Sequence, residues 1–196
     1  RDLHSFPTRR SSDLRHQYMA IMVGSQTVLD DDPMLNCRLI EGKDPIRVVV
    51  DSALRIPMTA RLVKTARDIR TIVACTPRAD EKKIRDLQNA GVEILIIEEK
   101  DGHVDLKKLT EELGHMQIDS ILLEGGATLA AAAFEAGIID KVQMYIAPMI
   151  IGGNAARTPV GGNGIEHLTD AWQLTGITVR NIGNDICITG YIRQEA

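Results

Sequence analysis

The sequence predicts an α/β domain built on a mixed sheet. Three observations lead there. Short β-branched or apolar runs alternate with helix-length amphipathic segments, most of those segments are closed by glycine, and the chain ends in two strands joined by a turn-rich loop. Residues 19–23 form an apolar run ending at Gly24, which reads as a buried strand. Residues 25–33, SQTVLDDDP, read as a polar loop or short helical turn. Residues 45–51 and 71–76 are β-branched strands. Residues 79–90 form a helix with Ile84 and Leu87 on one face and Gly91 as its stop. Residues 92–97 are a buried strand. Asp105 caps a helix bearing Leu106, Leu109 and Leu113, with Gly114 expected just past its end.

Residues 120–123 form the next strand, followed by Glu124-Gly125-Gly126 and an alanine-rich helix over 127–136 that Gly137 terminates. Residues 141–147 alternate Val142, Met144 and Ile146 with polar neighbours, the pattern of a half-buried strand. Strands over 172–179 and 186–192 close the chain, joined by a hairpin loop at 181–185.

The 196 residues suit one domain. A net charge of −4 argues against a nucleic-acid-binding face, and an aromatic content of 3% argues against base-stacking platforms. No apolar run approaches the roughly 18 residues of a membrane span. Cys37, Cys75 and Cys187 are scattered, a pattern that points to a reducing cytoplasm and to neither disulfides nor metal. Residues 1–14, RDLHSFPTRRSSDL, have no apolar period. They look like the translation of a synthetic sequencing adapter, so this segment is expected to be non-native and disordered, with the domain proper over 15–196.

Three segments carry candidate chemistry. In residues 121–137, ILLEGGATLAAAAFEAG, a strand turns through two glycines directly into a helix. Unpaired N–H groups and the positive dipole end there suit a phosphate, and glycine lets the backbone approach it. An ordinary βα turn is the alternative. Glu124 lies at the carboxyl end of that strand, where α/β folds place ligands, or is simply a solvated acid. In residues 24–39, Ser25, Thr27 and Asp30, Asp31 and Asp32 precede Pro33. Consecutive acids do not converge as alternating calcium ligands do, so the run reads either as polar ligand contacts or as turn formers. In residues 48–55, Ser52 and Arg55 follow a strand end, where an arginine can meet a 2′-phosphate or stay on the surface. There is no nucleophile elbow, no CxxC and no metal-ligand spacing.

Together the strings AIMVGSQTVLDDDPMLNCR, DPIRVVVDSALRIP and LLEGGATLAAAAFEAGIIDKVQMYIAPMIIGG closely resemble the reductase domain of the bacterial bifunctional riboflavin-biosynthesis deaminase/reductase, over essentially all of residues 15–196. The resemblance implies a dihydrofolate-reductase-like three-layer sandwich, with a mixed, mostly parallel sheet and a C-terminal antiparallel hairpin. It implies an NADPH-dependent oxidoreductase that converts the ribosyl group of 5-amino-6-(5-phosphoribosylamino)uracil to a ribityl chain. Residue by residue, Thr27, Asp31 and Ser52 match cofactor-contacting positions. Gly126, Ala127, Thr128, Leu129, Ala130, Ala131 and Ala132 match the segment holding the cofactor's phosphates. Arg15, Leu35, Arg38 and Glu124 match substrate-contacting positions, and Glu124 is the expected catalytic group.

By the fold's analogy the Gly125–Gly126 peptide is expected to be cis. The family's first strand and its substrate loop are not present before Arg15. The strand at residues 19–23 is therefore expected to lack a sheet neighbour and the fragment to be inactive. A homodimer or higher homo-oligomer and an upstream deaminase domain, hence a multifunctional parent, are implied as well. A sibling reductase acting on another pyrimidine or a pterin, or a nucleotide-binding fragment without turnover, remain alternatives.

Overall fold

The computed structural model describes residues 14–37, 42–153, 156 and 158–193. Its centre is a five-stranded parallel sheet made of β1 (Ala20–Gly24), β2 (Ile46–Val50), β3 (Thr71–Cys75), β4 (Glu93–Ile96) and β7 (Ile121–Leu123), in the order β4-β3-β2-β1-β7. β5 (Glu99–Lys100) and β6 (His103–Val104) form a small antiparallel ribbon beside it. The helices are α1 (Ser25–Asp31), α2 (Arg61–Lys64), α3 (Glu81–Asn89), α4 (Leu106–His115) and α5 (Ala127–Glu135).

Side-chain alternation along the strands divides the interior into two layers. Ile21, Val23, Val49, Val73 and Cys75 face one side and pack with Val28 of α1, Leu62 and Val63 of α2 and Leu87 of α3. Ala20, Met22, Val48, Ile72 and Ala74 face the other and pack with Leu106, Leu109 and Leu113 of α4 and with Leu129 and Ala133 of α5. Helices on both faces of the sheet make the expected three layers. Asp80 and Asp105 cap α3 and α4, each accepting from two backbone N–H groups. Among the described residues no helix is long and apolar enough to cross a membrane.

Several expectations change. Of the two readings of residues 25–33, loop or short helical turn, the helical one holds and extends to a seven-residue helix. α4 continues through Gly114 to His115, and Gln117 at φ 62 makes the left-handed reversal in place of the glycine, because N–H groups of Gln117 and Ile118 bond back to Gly114 and Leu113. The antiparallel strands β8 (Lys141–Ile146), β9 (Leu174–Ile182) and β10 (Asp185–Ile192) form, but as a separate sheet in the order β8-β10-β9. Only Gly183 and Asn184 separate β9 from β10, a shorter loop than expected. The strand at residues 19–23 does not lack a neighbour. β1 lies between β2 and β7 and its first four residues are buried, so among the described residues the edges of the parallel sheet are β4 and β7. The Gly125–Gly126 peptide is trans, as are all described peptides, and the turn there is made by positive φ at both glycines.

Arg47 is the one feature of the core that the hydrophobic pattern conceals. It lies in the interior of the molecule at 0% exposure. Its guanidinium donates to Thr71 Oγ1, Thr65 Oγ1 and the carbonyls of Leu62, Thr65, Ile69 and Met34, tying the amino-terminal ends of β2 and β3 to the loop after α2. Burial pulls its pKa down to about 10, leaving it charged at neutral pH. Arg47→Met should therefore strand several buried acceptors and cost about 3–5 kcal/mol. That is a large share of a domain's roughly 5–15 kcal/mol. Urea denaturation measures it, and a loss under about 1 kcal/mol would show that water satisfies those carbonyls instead.

Candidate active site

The carboxyl ends of β1, β2 and β7 define one edge of the sheet, and most of the sequence-derived site residues collect there. Glu124 follows β7, and its N–H bonds to Met22 O at 3.0 Å, which extends the ladder with β1 by one residue and fixes where the carboxylate starts. Gly125 (φ 77) and Gly126 (φ 86) then turn the chain into α5, which has no side-chain cap at Gly126. The first N–H groups of α5 are left for another acceptor, and the exposed glycine backbone gives access to them. Thr27, on α1, lies against this turn: a Cβ built on Gly126 would meet its Oγ1 at 3.5 Å. Gly161 donates its N–H to Ala127 O at 2.9 Å, so the 161–162 glycine pair leans on the same helix end. Along α5 itself, Ala131 is buried and Ala130 and Ala132 are half-buried, so the part of the expected 126–132 segment most open to a ligand is its first turn.

Arg15, on a helical turn over residues 14–17, reaches across to Glu124. Its Nε donates to Glu124 Oε2 at 2.9 Å and its Nη2 to Oε1 at 2.6 Å, a two-point pair, while Nη1 donates to Asn36 O at 3.2 Å. Two residues separated by 109 positions in the chain, both expected at the substrate, are thus in contact. Leu35 is only 2% exposed and has φ 52, so its side chain belongs to the core and any ligand contact would come from its backbone. Arg38 lies outside the described residues. Asp31 is exposed at the end of α1. Its neighbours are engaged apart from one another, Asp30 with Gln26 and Asp32 with Arg61, so the acid run forms no cation cage.

On the β2 side, Ser52 Oγ accepts from Val104 N at 3.1 Å, leaving its own hydroxyl hydrogen to donate. Arg55 donates to Ser25 Oγ at 2.8 Å and lies 3.9 Å from Asp51, whose buried carboxylate also accepts from Ile56 N. Ser25 was among the candidate polar contacts of residues 24–39, whereas Asn36 and the Gly161-Gly162 pair were not singled out from sequence. The glycine pair in VGGNG was the available signal; a backbone carbonyl such as that of Asn36 leaves none. Cys75, at the end of β3, is no nucleophile: burial, with Asp51 nearby, pushes its thiol up to about 11. Two clefts of about 280 and 190 Å³ lie elsewhere, beside α4 and beside Phe134 and Trp172, and neither contains Glu124 or Gly126. The candidate site is an open shelf.

The glycine turn feeding a helix at the end of a parallel strand was expected from sequence, and the structure adds that Arg15 and Glu124, each matched to a substrate-contacting position, pair beside it. Comparison with known proteins decides the family: the family model described as RibD C-terminal domain matches residues 4–188. The chain belongs to the RibD C-terminal domain family. The riboflavin biosynthesis protein RibD of Actinobacillus pleuropneumoniae is 46% identical over 179 residues, covering 91% of this chain and 47% of that protein. The 2,5-diamino-6-ribosylamino-4(3H)-pyrimidinone 5′-phosphate reductase of Methanothermobacter thermautotrophicus is 37% identical over 183 residues, covering 92% of this chain and 82% of that protein. The solved RibD of Acinetobacter baumannii superposes with a TM-score of 0.78 at 27% identity, over 94% of this chain and 50% of that one. The chain therefore spans about half the length of the RibD proteins it matches, and most of the length of the Methanothermobacter reductase.

Proposed function

We propose that this chain is the reductase part of a riboflavin-biosynthesis enzyme, using NADPH to reduce the ribosyl group of 5-amino-6-(5-phosphoribosylamino)uracil to the ribityl product. The observation that carries this reading is the Arg15–Glu124 pair set beside the open N-terminus of α5. The first N–H groups of α5, the two glycines and the Thr27 hydroxyl fit a dinucleotide pyrophosphate, and bound NADPH would supply the hydride. Reduction places that hydride on C1′ of the sugar, breaks the C1′–O4′ bond and requires one proton at O4′. Glu124 is the group on this shelf suited to orient the sugar and hold that proton. Arg15 grips the sugar phosphate, with Arg38 as its expected second clamp.

Calorimetric titration of NADPH, paired with turnover of the aminouracil ribosyl phosphate, tests the assignment. Binding without turnover in a protein carrying its full upstream sequence would favour a nucleotide-binding module. The archaeal relative gives a specific second reading, a substrate with an amino group in place of oxygen at the pyrimidine 2-position. Comparing turnover of the two pyrimidines separates them.

Ser52 and Arg55 are proposed to read the cofactor's 2′-phosphate. Replacing both with Ala should weaken NADPH by about 1.5–3 kcal/mol and NADH much less. Equal losses for the two cofactors would remove the pair from this role.

Sequence upstream of the described residues is proposed to supply a strand against β7, whose outer edge has no partner strand among the described residues. Without it the fragment is expected to be inactive, and the exposed edge to favour aggregation. We propose an upstream deaminase domain in the parent protein as well. The family match begins at residue 4, inside the adapter-like string, so the source nucleotide read is the check on residues 1–14. In the second sheet, Met144, Ile146, Ile177, Val179 and Ile186 share one exposed face by register, a surface suited to the proposed homo-oligomer of this cytoplasmic enzyme.

A further inference from the structure

Resting on the functional reading above, we infer that Arg15 is a positioning residue that couples the substrate's phosphate to the Glu124 carboxylate. The geometry is specific. Glu124 occupies the side edge of the guanidinium, formed by Nε and Nη2, and Asn36 O takes one hydrogen of Nη1. A guanidinium carries five N–H donors in one plane, so two on the Nη groups stay open to a phosphate while the Glu124 pair persists.

Arg15 is well enclosed, with 12% of its side chain exposed, and the Asn36 carbonyl limits its swing. Glu124 is more open, at 35%, and faces the shelf. A phosphate that draws on the same planar group must shift or stiffen the carboxylate it holds. Binding energy from the unreactive end of the substrate thereby reaches the group beside the reacting sugar carbon, where it can raise kcat as well as lower KM. A lysine could keep the charge but not the two-point geometry.

The test compares wild type, Arg15→Lys, Glu124→Gln and the double variant in the full-length protein, with the phosphorylated substrate and its dephosphorylated analogue. In the wild type kcat should be higher with the phosphorylated substrate than with its analogue, and Arg15→Lys should lower kcat for the phosphorylated substrate at least tenfold and erase that difference. In the double variant kcat should fall no further than in Glu124→Gln. A rise in KM for the phosphorylated substrate alone, with kcat intact, would overturn the coupling and leave Arg15 as a phosphate clamp. If the wild-type enzyme turns over neither compound, the functional reading is what has failed. Thermal unfolding of the four proteins then still judges the pair: non-additive shifts support it, and additive shifts overturn it.

Discussion

Glu124→Gln is expected to lower kcat by about 10²–10⁴-fold, the usual contribution of a positioned acid–base group, while NADPH affinity stays near that of the wild type. The two effects separate because of where the residue sits. Its N–H is fixed to Met22 O and its carboxylate bonds to Arg15 rather than to the N–H groups of α5 that form the proposed phosphate seat. The amide keeps the size of the side chain and can still accept a bond from Arg15, but it loses the charge and cannot carry a proton between substrate and solvent. Steady-state kinetics in the full-length protein, with cofactor affinity measured by titration, gives both numbers. Turnover within about threefold of wild type would return Glu124 to a structural role as the partner of Arg15.

Gly126→Val is expected to abolish NADPH binding, and the structure adds a cost in stability that sequence alone did not suggest. Gly126 has φ 86, and a residue with a Cβ loses roughly 1–2 kcal/mol in left-handed backbone, a β-branched one more. The Cβ itself has room, 3.5 Å from Thr27 Oγ1 and 3.7 Å from Leu129 Cβ, so backbone strain rather than collision sets that cost. The Val methyl groups would extend over the open end of α5, where a pyrophosphate has to come within hydrogen-bonding distance. Gly126→Ala carries a similar strain with less bulk, so the comparison isolates the steric effect. Titration with NADPH should show binding weakened by Ala and absent with Val, with both proteins folded by circular dichroism. Unchanged NADPH affinity in a folded Gly126→Val protein would remove the α5 N-terminus from the cofactor site.

Much of the fold was legible because local patterns agreed with one another. The apolar runs of β1, β2 and β3 are strands buried on both faces, and Asp105 caps α4 as a short polar residue before an amphipathic segment does, while Asp80, expected inside a helix over 79–90, caps α3 instead. Misreadings occurred where a non-local contact overrode the local signal. Gly114 looked like a helix stop, yet the burial of Leu113 and Ile118 carries α4 past it and leaves the reversal to Gln117. Arg47 carried no signal of its own within the β-branched run of 45–51, yet carbonyls from α2 and the loop after it surround its guanidinium.

The sequence by itself determined the strand–helix alternation, the glycine turn into α5 and, through its long matching strings, the family, because each of these is encoded in residues near one another in the chain. Only the tertiary structure decided strand order and which distant residues meet. β1 became an interior strand because β7, a hundred residues later, pairs with it. That same pairing delivers Glu124 to the shelf where Arg15 and Thr27 already stand. Contacts of such range depend on how the apolar faces of the sheet are buried as a whole, and no local window of sequence contains that information.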